Sequence, residues 1–93
     1  MDRRRLRVEG HVQGVGFRDA CVEQARSLAL AGYVRNQRDG SIEVMLEGPA
    51  DAVARMVDWL HRGPPRARVV RVTAIPASSA DVPMQRFERR PTE

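Results

Sequence analysis

Between Arg5 and Gln13 the apolar residues Leu6, Val8 and Val12 alternate with Arg5, Arg7, Glu9, His11 and Gln13, the two-residue period of a strand with one buried face. Gly10 takes an inward place in that pattern. From Phe17 the period changes: Phe17, Cys21, Ala25 and Leu28 recur at helical spacing, Val22 and Ala29 widen the stripe, and Gly32 is expected to stop the helix as a left-handed terminal glycine. Tyr33 to Gln37 and Ser41 to Glu47 read as two strands. The second sets Ile42, Val44 and Leu46 against Glu43, Met45 and Glu47, and Arg38-Asp39-Gly40 supplies the hairpin turn between them. Gly48-Pro49 breaks the strand, and Val53, Met56, Val57 and Leu60 mark a second helix for which Pro49 suits the entry. His61 to Pro65 ends it. Arg68 to Pro76 is a further strand with Val70, Val72 and Ala74 on one face, Ala77 to Pro83 is a small polar loop, and Gln85 to Arg89 around Phe87 adds a short edge strand.

This order, βαββαβ, predicts an α+β fold of ferredoxin-like topology: a sandwich with two helices on one face of a four- to five-stranded antiparallel sheet, as a single domain over residues 1–93. In that topology the first two strands run parallel with the third between them. The turn after the first strand and the end of the second therefore meet at one edge of the sheet.

Composition narrows the chemistry. The 93 residues carry 16 basic and 12 acidic side chains, net +4, and every basic one is arginine, so lysine Schiff-base and P-loop lysine chemistry are excluded. The acids are scattered among the arginines, the pattern of a charged, solvated surface. Arg3-Arg4-Arg5 reads as a frayed terminus. The single cysteine, Cys21, forms no internal disulfide and suits a reducing cytoplasm. No apolar run approaches the roughly 20 residues of a membrane span, so no membrane partner is expected, and no targeting segment is visible. Cys21 and Arg26 are separated by four residues on a helix, whereas a cysteine phosphatase loop needs five, so Cys21 is read as core. His11 and His61 lack a partner that would make either a base, Asp19 suits a helix start, and Trp59 flanks the second helix's apolar stripe.

The remaining candidate is Val8 to Arg18. Gly14 and Gly16 allow backbone angles closed to other residues, so successive N–H groups of Gly14, Val15, Gly16, Phe17 and Arg18 can face one concavity at a helix start, with the Arg18 guanidinium beside them. Such a nest suits a phosphate-sized anion; a surface arginine on a tight turn is the alternative. Asn36, near the end of the second strand, sits where asparagine is depleted. It either braces the Asp39-Gly40 hairpin or serves the same edge as the nest.

The stretch from Val8 through Arg18, an aliphatic residue, any, Gly, any, Val-Gln-Gly-Val, any, Phe-Arg, resembles the signature of the acylphosphatase family, and Gly32-Tyr33-Val34-Arg35-Asn36 with Gly40, Ile42 and Gly48 resembles its second block. Ile42 stands where valine is usual and Ala29 where glycine is common. The resemblance implies hydrolysis of acyl phosphates to a carboxylate and inorganic phosphate without metal or other cofactor. Nothing in the sequence demands more than a monomer, and no nucleic-acid partner is expected. By position, Arg18 corresponds to the phosphate-binding arginine and Asn36 to the asparagine that positions water. The competing reading is a ferredoxin-like anion- or RNA-binding module without catalysis. Against it, RNA modules of this topology stack bases on paired sheet aromatics, and only Phe17, Tyr33, Trp59 and Phe87 are available.

Overall fold

A computed structural model describes residues 1–77 and 85–93. Seven elements follow in the expected order: β1 (Asp2–His11), α1 (Phe17–Ser27), β2 (Ala31–Asn36), β3 (Ile42–Gly48), α2 (Ala50–Arg62), β4 (Arg68–Ile75) and β5 (Phe87–Arg89). The sheet order is β4-β1-β3-β2-β5. β3 is antiparallel to both β1 and β2, so these two run parallel with β3 between them, as the ferredoxin-like reading requires. The sheet is nevertheless mixed, because β5 joins its edge parallel to β2. Arg26 in α1 secures that short strand, its Nε and Nη2 donating to the Phe87 carbonyl at 3.2 and 3.1 Å while the Phe87 ring is fully buried. Of the expected Ala77–Pro83 loop, residues 78–83 lie outside the described residues.

The apolar stripes of α1 (Phe17, Cys21, Ala25) and α2 (Val53, Met56, Leu60) cover one face of the sheet, meeting Val8, Val34, Val44 and Leu46. This is the expected core with two local corrections. In β4 it is Val69 and Val72 that pack inward, and Val70 is 73% exposed. The register between β1 and β4 jumps from Glu9↔Arg71 to Gly10↔Val69, leaving Val70 as the extra residue of a bulge that reverses the alternation. Gly10 permits it: a Cβ there would stand 2.2 Å from the Arg68 carbonyl oxygen. The second correction concerns the end of α1. Ala29, at φ 56, takes the left-handed position assigned to Gly32, while Leu30 N–H reaches back to the Ala25 carbonyl at 3.0 Å; Gly32 already belongs to β2.

The other face of the sheet is covered by arginine. Every residue of β3 is buried, Glu43 and Glu47 included. Arg3 Nε donates to Glu47 at 3.0 Å; Arg5 and Arg35 both donate to Glu43, which also accepts from Gln37 Nε2 at 3.0 Å. Arg3 and Arg5 are thus paired strand residues, and the expected frayed terminus is not found. Tyr33 lies beneath two guanidiniums, Arg90 at 4.1 Å and Arg35 at 5.2 Å from its ring centroid. The methylene stems and planar heads of these arginines shield β3 as apolar side chains would elsewhere.

Candidate active site

Residues 12–16 carry the chain from β1 into α1 with the side chains of Val12, Val15 and Phe17 fixed in the core. Phe17 meets Trp59 of α2 edge-on, with ring centroids 5.7 Å apart. These anchors leave the intervening backbone to face outward. Gly14 (φ 75) and Gly16 (φ 76) are both left-handed, and a Cβ at either would meet no atom within 4 Å, so it is conformation that calls for glycine there. Gly16 is the N-cap of α1 and offers no side-chain acceptor to the first helical N–H groups. Among the described residues, no N–H of residues 14–18 donates to a backbone carbonyl. The helix start therefore presents unshared donors together with its partial positive charge.

These donors open into a cavity of about 90 Å³ walled by Gly14, Gly16, Phe17 and Arg18 on the loop side and by Asn36 from β2. Strand order brings Asn36 there, as expected from the topology. Val15 does not reach the wall; its side chain is 7% exposed and serves as an anchor. Arg18 makes no hydrogen bond or ion pair among the described residues. Asn36 Oδ1 is buried and has no hydrogen-bond partner among them either. An unpaired buried acceptor costs about 1–3 kcal/mol unless water or a ligand supplies its partner. The alternative role for Asn36, bracing the hairpin, falls instead to Asp39, whose Oδ1 accepts from Ser41 N–H at 2.9 Å and Ser41 Oγ at 2.6 Å.

Three site features were not assigned from the sequence. Gln13 Nε2 donates to the carbonyls of Gln37 (2.8 Å) and Ser41 (2.9 Å), tying the glycine loop to the β2–β3 hairpin that carries Asn36. Its place in the β1 alternation, where it reads as one more polar outward residue, conceals this. Arg89 of β5 completes the wall and pairs with Asp19 at 2.6 Å; a three-residue strand carries too little periodicity to place it. The third is the C-terminal segment: Glu93 N–H donates to the Asn36 carbonyl and its own carbonyl accepts from Arg38 N–H, both at 2.9 Å, holding the end of β2.

A larger cavity of about 150 Å³ lies beside Arg5, Gln37, Asp39 and Glu43, but its charges are already matched within the arginine layer. Cys21 is fully buried, which pushes its thiol well above the ordinary range, so it is a core residue. Among the described residues no helix is long and apolar enough to cross a membrane. Among the described residues, Tyr33 is the aromatic ring on the open sheet face, and Arg90 and Arg35 stack over it.

The chain is similar to known proteins over most of its length. The acylphosphatase family model matches residues 4–88. An acylphosphatase of Acidovorax sp. (strain JS42) is 47% identical over 89 residues, covering 96% of this chain and 90% of that protein. One from Paraburkholderia xenovorans (strain LB400) is 50% identical over 84 residues, covering 90% and 86%. The crystal structure of acylphosphatase from Bacillus subtilis superposes with a TM-score of 0.87 at 34% identity, covering 95% of this chain and 97% of that one. With its two motifs converging on one cavity and its match running through nearly the whole sequence, the chain belongs to the acylphosphatase family.

Proposed function

We propose that Arg18 and the N–H groups of residues 14–18 hold the phosphoryl group of an acyl phosphate, and that Asn36 positions the water that attacks it. The observation that carries this is the pairing, in one small cavity, of unshared donors with an unpartnered buried acceptor. A carboxylate is already a good leaving group, so the protein's work is to fix the phosphoryl group, spread its charge over preset donors and aim water in line with the leaving oxygen. The Asn36 amide oxygen accepts a hydrogen bond from that water but is too weak a base to take its proton. The proton passes to a phosphate oxygen of the substrate. The bond between phosphorus and the carboxyl oxygen breaks as the one to water forms, giving carboxylate and inorganic phosphate.

In this reading Arg18 and the helix start supply the positive charge, and the reaction needs no metal or other cofactor. It takes place in the cytoplasm, where the buried thiol of Cys21 stays reduced, in residues 1–93 acting as one monomeric domain without nucleic acid or membrane. The test is hydrolysis of benzoyl phosphate and of an aryl phosphate ester, each with excess chelator. Turnover of the first alone, at unchanged rate, is the expected result; salt-sensitive RNA binding by a folded protein that turns over neither would move the reading to a binding module. Asn36→Ala should lower kcat by about 10²- to 10³-fold and leave competitive inhibition by inorganic phosphate nearly unchanged. Retention of most activity by that variant would remove Asn36 from the mechanism.

A further inference from the structure

The cavity is small, about 90 Å³, and a phosphoryl group held against the loop N–H groups and Arg18 fills its inner end. The acyl half of any substrate must therefore lie against the rim. The exposed side chains of the wall are those of Asp19 and Arg89, 74% and 48% exposed. They come from opposite sides, Asp19 from the first turn of α1 and Arg89 from β5, where it pairs with Val34 two residues before Asn36. Arg89 Nη1 donates to Asp19 Oδ1 at 2.6 Å. An exposed pair of this kind adds little to stability; what it contributes is placement, setting the guanidinium beside the cavity mouth. Nε and Nη2 have no partner among the described residues, so they remain available as a donor pair.

We propose that Arg89 is a specificity-determining residue that accepts a second carboxylate carried on the acyl half, so that the enzyme prefers acyl phosphates of dicarboxylic acids. The proposal rests on the reading that the Arg18 cradle holds the phosphoryl group. A neutral acyl chain gains nothing from a guanidinium at the rim, whereas a carboxylate gains charge-assisted, bidentate hydrogen bonds. Asp19 opposes a second anion, but its charge is matched by the same pair, and its hold on Arg89 orients the fork before substrate arrives.

Steady-state kinetics with benzoyl phosphate and with 3- and 4-carboxybenzoyl phosphate, on the full chain and on Arg89→Met and Arg89→Lys, test this. Rigid aromatic acyl groups cannot cyclise, and comparison between variants cancels differences in intrinsic reactivity. The expected result is a fall in kcat/KM of about tenfold for at least one carboxylated substrate in Arg89→Met, carried by KM, with benzoyl phosphate within about twofold of the parent and partial recovery in Arg89→Lys. Parallel losses on all three substrates, weaker inhibition by inorganic phosphate, or no change in any ratio would each overturn the assignment. Failure of the parent to hydrolyse benzoyl phosphate would instead remove the reading of the cradle on which it rests.

Discussion

Arg18 meets the cavity with a planar fork whose donors no other described residue engages, and a phosphoryl group presents oxygens spaced to accept from that fork in pairs. Lysine would keep the charge and lose the geometry. Arg18→Lys is therefore expected to lower kcat/KM for benzoyl phosphate by about 10²-fold with no change in thermal midpoint. Activity within a few-fold of the parent would show that charge alone suffices. A single residue also governs the turn that follows α1. Ala29 holds φ 56, a conformation that costs a residue with a Cβ about 1 kcal/mol relative to glycine, and it is exposed, so nothing would be lost by removing its methyl group. Ala29→Gly should raise the melting temperature by roughly 4–8 °C, the shift that about 1 kcal/mol produces in a domain of this size. Calorimetry checks it, and an unchanged or lower value would mean the turn is not strained.

At the scale of elements, the site is two strand ends and a helix start held in register, and Gln13 is the tie between them. Its amide bridges from the loop after β1 to two carbonyls flanking the β2–β3 turn. Gln13→Met, similar in length, removes this bridge while both carbonyls keep a backbone donor, Gly40 N–H to Gln37 and Gln37 N–H to Ser41, and frees the cradle to move relative to Asn36. The expected outcome is a fall in kcat of about tenfold or more, since in the proposed mechanism a small displacement of the water that Asn36 would position is costly, with inhibition by inorganic phosphate little affected. Equal losses in both would mean that Gln13 shapes the cradle itself. The same scale explains what was legible beforehand. β1, α1 and the β2–β3 hairpin announce themselves through sustained periodicity and an Asp-Gly turn, and topology then brings Arg18 and Asn36 to one edge. Val70 misled because a single bulge residue reverses the alternation of β4, and Gly32 misled because the left-handed turn had moved three residues upstream to Ala29. Arg89 was hidden because its strand is held by tertiary partners, Arg26 and the edge of β2, and not by any pattern of its own.

Across the whole molecule, the two faces of the sheet are stabilised by different means. The helix side buries hydrocarbon; the open side buries Glu43, 1% exposed, under Arg5, Arg35 and Gln37. The arginine-rich N-terminal run, which composition alone presents as solvated, is half of this second layer. Burial pushes the Glu43 carboxyl upward, but hydrogen bonds from Arg5 and Arg35, and then their charges, outweigh it and hold the group below its ordinary 4.5. The sign follows. A carboxyl whose folded value is depressed contributes stability that is fully present above its unfolded value and is lost as pH falls through the folded one. Asp39 shifts in the same direction, through hydrogen bonds from Ser41 and the charge of Arg7, so the parent protein should lose stability progressively as pH drops below about 4.5. Glu43→Gln isolates the first contribution. At neutral pH it should cost about 2 kcal/mol, the scale of hydrogen bonds to a charged group, because two guanidiniums lose their shared carboxylate. As pH falls through the depressed folded value of the Glu43 carboxyl, the parent is protonated there in turn and the two proteins should converge. Urea unfolding followed from pH 7 to pH 2 checks both limbs. A constant gap between the curves would mean that Glu43 acts through packing, whereas closure of the gap on acidification ties the open face of the sheet to its arginine–glutamate layer.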